Sequence, residues 1–134
     1  RVIVRLSSEE LAGAERWREL GVDAISLQPV YSPRRFRVAI ESYDAGLPLL
    51  AEVLVLPDAP TAEALDNEVP ALQVPRRLID RLAEDPAEDQ RGVLRFLAAW
   101  QGRLAGVYLL LPDARTAAAV AVLQGLRGAS PTTL

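Results

Sequence analysis

The stretch GVDAISLQPVYSPRRF, Gly21 to Phe36, decides how the chain is read. Ala24 to Leu27 has the length and apolar character of a short buried strand, and Ser32 followed by Pro33 opens a helix with proline in its first turn. Between them stands Gln28, an uncharged amide where the chain leaves the sheet. An amide there is either a turn residue facing water or a group aiming two donors and an acceptor at a ligand.

Working outward, the same strand-then-helix unit recurs. VIVRL (Val2 to Leu6) reads as a strand, with Ser7 or Ser8 capping a helix through SEELAGAERWREL that has acids in its first turn and Gly21 as its stop. The helix SPRRFRVAIESYDAG ends near Gly46, and LLAEVLVL is the third strand. A short helical stretch from Thr61 to about Asn67 follows, then a helix from Pro75 through RRLIDRLAE and a longer one from about Ala87 to Leu104. GVYLLL (Gly106 to Leu111) is the fourth strand, and DARTAAAVAVLQGL, capped by Asp113 and stopped at Gly125 or Gly128, the last helix. The closing GLRG is such a helix stop, since no strand leads into it as a nucleotide fingerprint requires.

Strands apolar on both faces and separated by amphipathic helices imply an α/β fold of parallel β/α units with right-handed crossovers. The expected architecture is half of a (β/α)8 TIM barrel, over a single domain 1–134; a doubly wound sheet is the alternative. In the half-barrel each strand lies beside its predecessor, and in either fold ligands gather at the carboxyl ends of the strands.

Composition excludes several chemistries. The 134 residues are 50% apolar and 25% charged, with a net charge of −3 from 15 basic and 18 acidic groups. No polyanion-binding footprint is visible, so neither nucleic acid nor an anionic membrane is an expected partner. Every basic residue is arginine, and lysine, histidine, cysteine and methionine are absent. This chain therefore supplies no thiolate nucleophile, imidazole base, Schiff-base lysine or ordinary zinc site. No apolar run is long enough to span a membrane and no signal-peptide pattern is visible, so the expected location is cytoplasmic.

Within the strands one charge stands out: Glu52 lies in an apolar run, where a carboxylate pairs with an arginine or takes a raised pKa and becomes a candidate acid. Arg34, Arg35 and Arg37 form either an anion clamp or a solvated helix face. Tyr108 is either a core aromatic or a wall for a flat ligand.

The segment ERWRELGVDAISLQPVYSPRRF resembles the part of methylenetetrahydrofolate reductases in which an Ala-Gly-Ala-Asp run leads through a short strand to a Thr-Gln pair and an aromatic loop, with Gln28 at that glutamine. LQVPRRLIDRLAEDPAEDQRGVLRFLAAW and AGVYLLLPDARTAAAV continue the likeness in order, the latter at the family's His-Phe-Tyr-Thr-Leu-Asn strand, with Tyr108 and Leu110 at its Tyr and Leu. The resemblance runs from about Leu11 onward, in spacing and element order more than in identities. It implies the carboxyl-terminal half of a flavin-linked barrel of one-carbon metabolism, serving methionine synthesis, that passes a hydride from NAD(P)H, through FAD where bound, to 5,10-methylenetetrahydrofolate. Gln28, Tyr108 and Leu110 are then substrate-binding, and Glu10 falls at the family's flavin-holding acid. Three positions depart from the pattern: Trp17 replaces the flavin-holding lysine, Ala51-Glu52 a Pro-Gly, and Gly106-Val107 the His-Phe. A non-catalytic structural or regulatory module built on the same half-barrel is the alternative. Either reading leaves VIVRL and GVYLLL as open strand edges, so the expected partner is a missing amino-terminal half-barrel or a second copy of the chain.

Overall fold

The computed structural model describes residues 1–100, 102–110 and 124. Four strands form one parallel sheet in the order β1-β2-β3-β4: β1 (Ile3–Leu6), β2 (Ala24–Leu27), β3 (Leu49–Leu54) and β4 (Gly106–Leu110). Each strand lies beside its predecessor in sequence, as expected, and β1 is at an edge and not in the interior position a doubly wound sheet gives it. Registers are Val4 with Ile25 and Arg5 with Ser26, then Ser26 with Leu50 and Leu27 with Ala51.

The chain divides into two compact units, Arg1–Val53 with Gln101–Tyr108, and Leu54–Trp100 with Leu109–Leu134. In the first unit the strand alternation separates two unlike faces. Leu6, Ile25, Leu27, Leu49 and Ala51 share one face and are all buried. They form the unit's core with the buried residues of its helical segments, Leu11, Ala14, Phe36, Ala39 and Ile40. The other face carries Ile3, Arg5, Ser26, Leu50 and Glu52, and it holds the polar groups.

The expected first helix is two pieces: a 3₁₀ turn, Glu10–Gly13, and a short α1, Glu15–Glu19. Ser7 does begin the segment, through a reciprocal capping box in which its N–H donates to Glu10 Oε2 at 2.8 Å and the Glu10 N–H donates to Ser7 Oγ at 3.2 Å. Gly13, a poor helix former, then falls where α-helix would have to propagate. The end is well determined: Gly21 N–H donates to the Arg18 carbonyl and Val22 N–H to the Trp17 carbonyl, the two bonds of a Schellman motif. That motif requires the left-handed backbone Gly21 adopts, φ 84°. Helix α2 (Pro33–Ser42) has Ser32 as its cap, accepting from Arg35 N–H, and Pro33 in its first turn, as its sequence indicates. Arg103 donates to the Ile40 carbonyl at 3.0 Å, placing a cation at the negative end of α2.

The second unit is built from the long β3 to β4 connection. Its helices are α3 (Ala59–Glu68), α4 (Arg76–Glu84) and α5 (Glu88–Trp100). Asp58 caps α3 through Thr61 N–H at 2.8 Å, and Pro75 opens α4. Leu78, Ile79 and Leu82 bury one stripe of α4, and Arg76 reaches Glu63 of α3 at 2.9 Å. Helix α5 stops before the expected Leu104, with Gly102 and Arg103 already in a turn. The expected final helix from Asp113 lies outside the described residues, apart from Gln124, which is helical.

Asp89, in the first turn of α5, is 6% exposed and accepts a hydrogen bond at 2.7 Å from the N–H of Leu56, just beyond β3. Burial, reinforced by neighbouring Glu88 and only partly offset by the Leu56 N–H, pushes its carboxyl up to about 6. A raised carboxyl favours the fold while it is protonated. Its contribution is complete below the unfolded value near 4 and is lost as pH rises through about 6. Asp89→Asn keeps an acceptor for Leu56 without the charge. Between pH 4 and 7 the wild type is therefore expected to lose roughly 2–3 kcal/mol relative to this variant. Urea unfolding of both proteins across that range checks it, and parallel pH profiles would refute the assignment.

Candidate functional site

The polar face of the first unit is built on one ion pair. Arg5 of β1 reaches across β2, and its Nε lies 2.8 Å from both Glu52 carboxylate oxygens on β3. The Glu52 side chain is only 8% exposed and that of Arg5 56%, so an almost buried carboxylate is neutralised by an accessible guanidinium. The arginine pairing open to Glu52 is thus the one the structure contains. Arg5 makes no further hydrogen bond to the described residues, which leaves its terminal nitrogens as donors.

Ser26, the register partner of Arg5, is 6% exposed, and its hydroxyl has no hydrogen-bond partner among the described residues. Gln28 comes two residues later. Its N–H donates to the Leu6 carbonyl at 2.8 Å, which holds it on the ladder beyond Leu27, so the alternation returns it to the face of Ser26 and aligns it with Glu52. It is half-buried, and its amide has no partner among the described residues. On β4, a Cβ built at Gly106 would meet Leu50 Cδ2 at 3.0 Å, which puts Gly106 on Leu50's face and, by alternation, Tyr108 with it. Tyr108 is 47% exposed there, where an aromatic ring is available to a flat ligand.

Of the residues singled out in the sequence, Gln28, Glu52 and Tyr108 thus share one face, while Leu110 belongs to the second unit and is half-buried. Glu10 lies elsewhere: its exposed carboxylate is held in the capping box, and the hydrogen bonds from Ser7 keep it below the usual carboxylate range. At Trp17 the indole Nε1 is buried without a partner among the described residues, and the Arg16 guanidinium carbon lies 5.2 Å from the ring centroid. An indole supplies no cation, and Glu10 is already engaged, so these two residues do not compose a flavin cradle. Arg35 pairs with Glu9, while Arg34 and Arg37 stay exposed. Among the described residues no cluster of acids capable of holding a metal ion occurs, and no helix is long and apolar enough to cross a membrane.

Arg5 and Ser26 are the members of the site that sequence reasoning missed. The signal was present, since Arg5 is the single charge in VIVRL and Glu52 the single charge in LLAEVLVL, and two isolated opposite charges in apolar strands are a candidate pair. Comparison with protein-family models and with curated proteins finds no match.

Arg5→Ala is expected to lower stability by about 1–2 kcal/mol, less than for a fully buried pair because Arg5 is half exposed, while Glu52→Gln costs under about 1 kcal/mol because no buried charge is left unpaired. Urea denaturation followed by circular dichroism measures both. Equal small effects would show that the pair does not hold the face.

Proposed function

We propose that the chain is the carboxyl-terminal half of a (β/α)8 barrel of the methylenetetrahydrofolate reductase type, and that the face bearing Gln28, Glu52 and Tyr108 takes the flat ring of a folate. One observation carries the reading: residues far apart in sequence, Gln28 and Tyr108, come to the same polar face of a sheet whose parallel strands follow in chain order. An amide reads a pterin's mixed donor and acceptor edge without adding charge, and a tyrosine ring supports its plane. In the reaction a reduced nicotinamide would supply the hydride to the methylene carbon of 5,10-methylenetetrahydrofolate as the bond from that carbon to N10 breaks, N10 taking a proton from solvent, which leaves a methyl group on N5 and an oxidised nicotinamide. The residues of this face bind and orient the ring that receives it.

A non-catalytic role for the same face is favoured by one feature. Glu52, the one acid on that face among the described residues, is engaged through both oxygens by Arg5.

Isothermal titration of the purified protein with tetrahydrofolate tests the proposal. Binding is expected, and Gln28→Ala should weaken it by about 1–3 kcal/mol through an unpaired pterin edge while the unfolding midpoint stays unchanged. No heat of binding, or unchanged affinity in the variant, overturns the role given to Gln28. NAD(P)H oxidation in the presence of 5,10-methylenetetrahydrofolate separates the two readings, since the non-catalytic module binds without turnover.

A further inference from the structure

The polar face has a chemical bias beyond its flatness. Arg5 and Glu52 neutralise each other, so the face carries no net charge at their position. Around that neutral pair the groups without partners among the described residues are the terminal nitrogens of Arg5, the nearly buried hydroxyl of Ser26 and the amide of Gln28. The arginine nitrogens only donate, while the hydroxyl and the amide do both. Net donor excess with no net charge suits a neutral ring presenting a carbonyl oxygen, and it suits a carboxylate or phosphate less well because Glu52 repels them.

Resting on the reading of this face as a folate site, we propose that Arg5, held in place by Glu52, is a specificity-determining residue that donates from its terminal nitrogens to the ring carbonyl of a neutral pterin, with Ser26 beside it. Glu52 is a positioning residue: by accepting from Nε it fixes the guanidinium plane and turns the terminal nitrogens away from the carboxylate. Ser26 stands in register with Arg5 and offers the neighbouring hydroxyl, and Gln28, one position up the same face, reads the adjoining edge.

The test uses two ligands that differ along one ring edge, folate with its ring carbonyl and adjoining ring N–H, and its 4-amino analogue, in which a donor replaces that acceptor and the adjoining nitrogen becomes an acceptor. Calorimetry on the wild-type protein is expected to show a preference for folate of roughly tenfold or more, because a donor facing a donor leaves both unpaired. Arg5→Lys retains a cation for Glu52 but lacks the planar fork. It should reduce the preference to about twofold or less, chiefly by weakening folate and not by strengthening the analogue. Glu52→Gln should reduce the preference partially, with Arg5 present but no longer held. Equal affinity of the wild type for the two ligands overturns this proposal and leaves the folate reading standing. Binding of neither overturns the folate reading and this proposal with it. A preference that survives unchanged in a folded Arg5→Lys protein assigns the discrimination to another residue and also overturns it.

Discussion

The contact between Arg5 and Glu52 is the constraint on which the first unit turns. It joins the first strand to the third over the second, and its geometry exists only in one register. Slipping β1 or β3 by one residue would move Arg5 or Glu52 to the opposite face, among Leu6, Ile25, Leu27, Leu49 and Ala51. A charge there would be unpaired in an apolar core, at a cost of several kcal/mol. The pair's own net contribution is modest because Arg5 is half exposed, and its larger effect is on uniqueness: it penalises the wrong alignments far more than it rewards the right one. Short strands need such a device, since VIVRL and AISL carry too little pattern to set a register by hydrophobicity alone.

The second unit holds a buried carboxylate in a different role. Asp89 meets the Leu56 N–H where the chain leaves the sheet, satisfying a backbone donor that no strand neighbour takes. Among the described residues no cation pairs with it, and burial raises its pKa. The two carboxylates differ in environment: Glu52 is hydrogen-bonded to an arginine, whereas Asp89 is buried against a backbone N–H and gains by holding its proton.

Much of the fold was legible because its signals are local. Pro33 after Ser32, Gly21 at the left-handed turn and the apolar stripe of Leu78, Ile79 and Leu82 each specify their element without help from distant sequence. Strand order was legible through the succession of β/α units, since consecutive parallel strands with helical connections tend to lie side by side. The first helix was not, because the capping box that begins it and the Gly13 that interrupts it compete within one short segment. The site was half legible. Gln28 and Tyr108 announce themselves as polar and aromatic groups near strand ends, but Ser26 looks like an ordinary strand residue until its register with Arg5 is known. Register is a property of two strands together, and a single run of residues does not contain it.

Gly106 shows how closely β3 and β4 approach on this face. Even a Cβ at 106 would stand 3.0 Å from Leu50 Cδ2, so a larger side chain requires Leu50 to shift. The leucine occupies the space that a residue on β4 would otherwise fill, immediately beside Glu52 on the same strand. The Glu52 oxygens accordingly have Arg5 as their hydrogen-bond partner among the described residues. Glycine at 106 and leucine at 50 are therefore a coupled pair, since any side chain placed at 106 requires Leu50 to yield.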